Sequence, residues 1–261
     1  MKLAIVTGVN GALGRAYANR FAIQDAFKCI GISRSVVPDK SPKVTYIENI
    51  DLLDPERTKI LADRYLPLDD VSEVLLVHPV GKFKFEKNQE PEIDRDDDGI
   101  DDEVYASNVN TFKNIEGPLA QLVKEQGKIT DLLLCGFGSV SDRYKVPLWL
   151  SYSRAKDILR QYFSVRTRQN GSNIQVKGVF VNVSSVNTGN ENKLRPFADK
   201  THWLEPEEIV DDSFPVILQR RIRNIEMDVF NPIVGFDPEK YYSVESVRER
   251  WLREMGINKL A

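Results

Sequence analysis

Leu3-Ala4-Ile5-Val6-Thr7-Gly8-Val9-Asn10-Gly11-Ala12-Leu13-Gly14 is the stretch from which the fold follows. Leu3 to Val6 is a short apolar run, the next eight residues are rich in glycine, and Arg15 to Ala26 carries apolar residues at helical spacing. The pattern reads as strand, tight turn and helix. Small residues in such a turn let the backbone approach a pyrophosphate, and the helix N-terminus offers it free N–H groups and the positive end of a dipole. Any tight strand-to-helix turn recruits glycine, but its place after the first strand favours a nucleotide site. A second strand, Lys28 to Ile32, ends in Ser33-Arg34-Ser35. No carboxylate stands there to bind a ribose 2′-hydroxyl, whereas Arg34 can pair with a 2′-phosphate, so NADP is favoured over NAD. A plain surface arginine is the alternative.

Downstream, Val44 to Ile50 reads as a third strand, followed by Asp51-Leu52-Leu53-Asp54 and a helix opening at Pro55. Val71 to Val77 is a fourth, closed by His78-Pro79-Val80-Gly81. A helix spans Glu103 to Lys124, a fifth strand Thr130 to Leu134, and Cys135 to Ser141 leave that strand as a loop. A further helix runs to about Arg168, Asn170-Gly171-Ser172 stop it, and Ile174 to Val183 is a sixth strand. Strands alternating with helices imply an α/β fold, a doubly wound parallel sheet of Rossmann type with right-handed crossovers. One domain covering 1–261 fits the length.

The segment 82–103 is an acidic insertion. Asp94-Arg95-Asp96-Asp97-Asp98-Gly99-Ile100-Asp101-Asp102 matches the start of a calcium loop, with oxygens at positions one, three, five and nine and glycine at six. Tyr105 occupies position twelve, where an acidic ligand belongs. The competing reading is a solvated insertion whose last aspartates cap the helix beginning near Glu103, and no metal site is assigned.

Tyr152-Ser153-Arg154-Ala155-Lys156 places a phenol and an ammonium four residues apart on a helix, hence on one face. A nearby cation favours the phenolate, bringing Tyr towards useful acid/base strength. An exposed aromatic beside a solvated amine produces the same spacing. His78 and His202 are the only histidines, too sparse for a histidine-based hydrolase or metal site. A net charge of -3 leaves no electrostatic footprint for nucleic acid. Cys29 and Cys135 lie in apolar runs and read as buried free thiols. The N-terminal apolar run is too short for a signal peptide and no stretch approaches 18 apolar residues, which points to a cytoplasmic protein without a membrane partner.

Taken together, residues 1–210 resemble the short-chain dehydrogenase/reductase family. Ser139 stands thirteen residues before Tyr152, Asn108-Val109 matches an Asn-Val pair in the preceding helix, and Thr7-Gly8, Asp51 and Leu204-Glu205-Pro206-Glu207-Glu208-Ile209 look like family features. The resemblance implies a sheet of about seven strands with helices on both faces. It implies Tyr152 as general acid or base, with Lys156 lowering its pKa and holding the nicotinamide ribose. Ser139 would hydrogen-bond the substrate oxygen, and Asn108 would anchor a water relaying protons to Lys156. An NADP or NAD cofactor would rest on Gly8, Asn10, Gly11, Leu13, Gly14, Arg34, Asp51, Tyr152, Lys156 and Thr188. The implied activity is that of an NADPH-dependent carbonyl reductase or alcohol dehydrogenase acting on a small molecule, assembled as a homodimer or homotetramer. A loop at 188–210 would border the substrate.

Several positions depart from the family pattern. Ala12 replaces the middle glycine, His78-Pro79-Val80-Gly81 replaces Asn-Asn-Ala-Gly with loss of the amides that brace the sheet, and Val183-Ser184 replaces Pro-Gly. Residues 225–261 show little likeness. A dinucleotide-binding regulatory or scaffold protein is the alternative of a different class. A sugar epimerase or dehydratase sharing the Tyr-Lys spacing fits less well, because those relatives usually carry a longer C-terminal substrate domain. Phe137, Tyr144, Trp149 and Trp203 are candidates for an apolar pocket, or for ordinary core.

Overall fold

A computed structural model describes residues 1–86, 94–129, 131–146, 148–168, 174–219, 223–230 and 237–257. In chain order the elements are β1 (Lys2–Thr7), α1 (Ala12–Ala22), β2 (Phe27–Ile32), β3 (Val44–Ile47), α2 (Pro55–Tyr65), β4 (Glu73–His78) and α3 (Asp102–Tyr105). A π-helical turn over Ala106–Asn110 leads into α4 (Thr111–Gln126), then β5 (Asp131–Ser139), α5 (Val140–Arg143), α6 (Leu150–Arg168) and β6 (Gln175–Val183). α7 (Gly189–Leu194), α8 (Pro206–Ile217), β7 (Asn224–Val229), α9 (Pro238–Tyr241) and α10 (Val244–Glu254) follow.

The strands form one sheet in the order β3-β2-β1-β4-β5-β6-β7, parallel throughout. Alternate residues of a strand face opposite sides, and both sides are covered. Leu3, Ile5, Val74 and Leu76 pack with Leu61, Phe112 and Phe163 of α2, α4 and α6. Ala4, Val6, Leu75 and Val77 pack with Tyr17 and Phe21 of α1 and Phe214 of α8. Burial on both faces is why these strands read as unbroken apolar runs rather than as alternating ones. The order reverses between β1 and β4, and the crevice beyond the C-terminal ends of those strands is where ligands sit in such sheets.

Three expectations need correction. The helix after the glycine turn begins at Ala12 and ends at Ala22, not at Arg15 and Ala26, because Gly11 in extended conformation already serves as its N-cap. β5 runs on to Ser139, so Cys135 to Ser139 are strand rather than loop. Its glycines serve close packing instead of a turn: a Cβ on Gly138 would run into Asn182 and Phe180. The helix expected over Glu103 to Lys124 is interrupted by the π turn that carries Asn108. Cys29 and Cys135 are free and buried, as expected. Among the described residues no helix is long and apolar enough to cross a membrane.

Candidate active site

A cavity of about 360 Å³ lies along the C-terminal ends of β1, β4, β5 and β6. One part of its lining is the turn after β1, where Gly8 has φ +64° and its carbonyl accepts from Gly11 N–H at 2.8 Å. A Cβ on Gly14 would run into the Gly8 carbonyl, so α1 can approach β1 this closely only with glycine there. The Gly11 cap lacks a side chain to occupy the first amides of α1, which leaves a compact cradle suited to a pyrophosphate. Gly8, Gly11, Leu13, Gly14 and Thr188 all line the cavity. Asn10, Arg34 and Asp51 do not line it. Asn10 Nδ2 donates to Ser35 Oγ at 2.8 Å, joining the turns after β1 and β2, and Arg34 is exposed beside them. Asp51 Oδ1 accepts from Leu53 N–H in the turn before α2.

Of the groups expected to move protons, Ser139, Tyr152 and Lys156 line the same cavity, whereas Asn108 lies buried behind Gly81 and is not part of the lining. Tyr152 and Lys156 lie one turn apart on α6, and the Lys156 ammonium sits 5.3 Å from the centroid of the Tyr152 ring. Ser139 shares a side-chain hydrogen bond with Tyr152. Its Oγ also accepts from Ser141 N–H at 3.1 Å, so the residue is both the last of β5 and the cap of α5. Asn108 is fully buried, and its amide nitrogen donates to the Lys82 carbonyl at 2.7 Å and the Val104 carbonyl at 2.8 Å. Its Oδ1 has no hydrogen-bond partner among the described residues. A Cβ on Gly81 would run into that oxygen and lie 3.2 Å from Lys156 Nζ, so the amide oxygen and the ammonium flank the same point.

The electrostatics differ from expectation. Burial depresses Lys156 to about 8, opposed by the Asp142 carboxylate. Tyr152 is held well above the ordinary phenol range, first by burial and then by the carboxylates of Asp142 and Glu191, with the Ser139 hydrogen bond acting the other way. The expected lowering of Tyr152 by Lys156 is therefore not what this arrangement produces. Desolvation penalises the charged form of both groups, and the ammonium lies over the ring. Asp142, buried and ion-paired with Arg160, accepts from Ser139 N–H at 3.1 Å and so ties the serine's backbone to a charge that acts on both Tyr152 and Lys156.

The loss of bracing expected from His78-Pro79 does not occur. His78 is buried, its Nδ1 is 2.8 Å from Thr7 Oγ1 and its Nε2 is 3.1 Å from Thr111 Oγ1, so one imidazole joins β1, β4 and α4. Burial and the neighbouring Lys156 depress it to about 3, which keeps the ring neutral.

The acidic insertion is neither wholly solvated nor idle. Glu86 is buried, accepts from Ser151 N–H at 3.0 Å and binds the Ser151 hydroxyl, capping the N-terminus of the helix that carries Tyr152. Ser151 Oγ in turn accepts from Asp101 N–H, and Arg154 donates to the Gly99 carbonyl at 2.6 Å. Asp101 caps α3, as the capping reading expects, and pairs with Lys84 at 3.1 Å. Two other calcium-loop carboxylates bond the loop's own backbone, Asp94 accepting from Asp98 and Gly99 N–H and Asp98 from Ile100 N–H, while Asp102 pairs with Arg95 at 3.4 Å and Asp96 is exposed. Among the described residues no three His, Cys, Asp or Glu side chains gather as a metal site requires.

Of the aromatic candidates, Phe137 and Trp149 reach the cavity, while Tyr144 stacks on Tyr242 at 5.1 Å and Trp203 packs on Arg195. Sequence reasoning missed Phe83, Glu191 and Trp251, which also line the cavity, and the Glu86 and Asp142 supports behind it. The capping pair Ser139-x-x-Asp142 was legible as a motif. Glu86 and Trp251 carried no local signal.

Compared by sequence, the chain matches no family model and no curated protein. Compared by structure, it is similar to the ligand-free aldohexose dehydrogenase of Thermoplasma acidophilum, at 16% identity and TM-score 0.69 over 87% of this chain and 92% of that one. An alcohol dehydrogenase from the archaeon Thermococcus sibiricus, complexed with 5-hydroxy-NADP, is 20% identical with TM-score 0.65 over 88% and 97% of the two chains. A structure described as the closed form of serine dehydrogenase complexed with NADP+ gives 16% and 0.68 over 90% and 98%. The chain thus has the fold of the short-chain dehydrogenase/reductase structures, with a seven-stranded parallel sheet among its described residues.

Proposed function

We propose that this chain is a divergent short-chain dehydrogenase/reductase, an oxidoreductase that uses a nicotinamide dinucleotide, NADPH in preference to NADH, to interconvert a carbonyl and an alcohol. The observation that carries the reading is the convergence in one cavity of Ser139 bonded to Tyr152, the Lys156 ammonium and the glycine cradle, with the buried, unpartnered amide oxygen of Asn108 directly behind Gly81 of the lining.

The cradle of Gly8 to Gly14 would bind the pyrophosphate, Arg34 a 2′-phosphate, and Thr188 and Lys156 the nicotinamide end. The bound dinucleotide supplies the hydride. Ser139 orients the substrate oxygen by hydrogen bonding and Tyr152 gives that oxygen its proton in reduction, or removes it in oxidation. A phenol held high stays protonated, as a donor must. Lys156, near 8, is a cation at neutral pH that steadies the phenolate left behind, and the unpartnered Asn108 oxygen beside it would hold a water that relays protons to it. Trp149, Phe83 and Trp251 exclude solvent from one side.

The structural relatives bound to NADP+ and 5-hydroxy-NADP support a nicotinamide cofactor. A panel of aldehydes and ketones with NADPH and NADH, followed by cofactor absorbance, tests the proposal. Consumption of NADPH with at least one carbonyl compound is the expected result. Tight dinucleotide binding without turnover across the panel would instead identify a binding protein of this fold.

A further inference from the structure

The cavity wall made by Phe83, Trp149, Tyr152, Asn190, Glu191 and Trp251 combines aromatic surface with a single carboxylate. Glu191 stands on α7, and its position is rigidly set. Its Oε1 is 2.7 Å from the Arg195 guanidinium, one helical turn on. Arg195 is buried between the rings of Trp203 and Trp251, at 4.8 and 4.7 Å, and binds Glu254 at 3.0 Å. Phe197 N–H reaches the Glu254 carbonyl at 3.1 Å, so α10 is joined to the segment after β6 by backbone as well as by Arg195.

The second carboxylate oxygen of Glu191 has no partner among the described residues, although the residue lines the cavity and its charge acts on the Tyr152 phenol. A half-buried acceptor walled by aromatic rings loses free energy whenever a ligand displaces its water without supplying a donor. A site of that kind discriminates against analogues lacking the donor. Burial holds the Glu191 carboxyl above the usual carboxylate range while Arg195, shared with Glu254, pulls it down, so the site is poorer in net charge than a free carboxylate and asks for a hydrogen-bond donor rather than for a cation as such.

We propose that Glu191 selects the substrate, and that the substrate is a carbonyl compound with an apolar body carrying a hydroxyl or ammonium group a few bonds from its carbonyl carbon. The inference rests on the oxidoreductase reading given above. Phe83, Trp149 and Trp251 receive the apolar body, Tyr152 meets the carbonyl oxygen, and Glu191 Oε2 accepts from the substrate donor.

Acetophenone, 2-hydroxyacetophenone and 2-aminoacetophenone, assayed with NADPH against the wild-type chain and Glu191→Gln, test this. The readout is the ratio of kcat/KM for each substituted ketone to that for the parent, in which changes in fold or in Tyr152 cancel. In the wild type a charge-assisted hydrogen bond makes the ratio roughly tenfold or more for at least one substituted ketone, and the ratio falls towards one in Glu191→Gln. A large ratio for both ketones identifies a neutral donor, and one confined to the amine identifies an ammonium. Glu191→Gln places a donor where the acceptor stood, so 2-methoxyacetophenone gains relative to the hydroxyketone. A wild-type ratio near one, or a ratio unmoved in Glu191→Gln, overturns the selection by Glu191 while leaving the oxidoreductase reading in place. Failure of all three ketones and of the wider carbonyl panel to consume NADPH overturns both.

Discussion

The two sides of the cavity are built on different principles. The cradle side, from β1 through Arg34, is made of backbone, small residues and exposed side chains: Gly8 and Gly11 are bonded to each other, and Asn10 and Ser35 meet at the surface. The side carrying Tyr152 and Lys156 is held by buried side chains far apart in sequence. Glu86 meets Ser151, Asp142 meets Arg160 and Arg195 meets Glu254. A ligand cradle of backbone amides needs only a local turn. Aligning a phenol, an ammonium, a hydroxyl and an amide requires fixing three elements, α6, β5 and the π turn, against one another, which local structure cannot do.

That contrast can be broken most directly at Tyr152. Tyr152→Phe should lower turnover by about 10²–10⁴-fold, the usual range for a positioned general acid, with cofactor affinity nearly unchanged in a fluorescence titration. Matching losses of turnover and affinity would mean that the two sides are not separable. On the cradle side, Arg34→Ala should weaken NADPH binding by roughly 10–100-fold and leave NADH almost untouched, since only a charge-assisted contact to a 2′-phosphate is removed. Equal losses for the two cofactors would return Arg34 to an ordinary surface residue.

Stability should divide the same way. Glu86→Ala strands the Ser151 amide and hydroxyl at the start of α6 and should cost about 1–3 kcal/mol in denaturant unfolding, with a fall in turnover. Asn10→Ala, at an exposed site, should stay within about 0.5 kcal/mol, so equal costs would refute the division. His78 sharpens it further through pH. Its folded-state pKa, about 3, lies below the ordinary value of 6.5, so the unfolded chain takes up a proton that the folded chain refuses. Stability from this group is complete above pH 6.5 and is lost as pH falls towards 3. His78→Gln should flatten that acid slope in a pH series of thermal melts, and an unchanged slope would assign it to other groups.

Much of this arrangement was legible because it is local. The strand-turn-helix pattern gave the glycine cradle at the end of β1, and the spacing of Ser139, Tyr152 and Lys156 marked one helix and the strand end beside it. The same local reasoning went astray at Gly136 and Gly138, read as a loop although they lie within β5. A glycine forced by a neighbour's ring looks in sequence like one forced by a turn. It also went astray at His78, where loss of the familiar amides suggested a weakened sheet and the imidazole instead spans both threonines.

By itself the sequence determined the alternation of strands and helices, the parallel sheet and three side chains that line the cavity, Ser139, Tyr152 and Lys156. Periodicity and turn chemistry act over a few residues, and the code for them is contiguous. Only the tertiary structure decided that the insertion caps the helix of Tyr152, that burial and two carboxylates set its proton affinity, and that Arg195 fastens the last helix beside Glu191. Those outcomes depend on desolvation and on contacts between segments tens of residues apart, quantities that exist only once the chain has closed on itself.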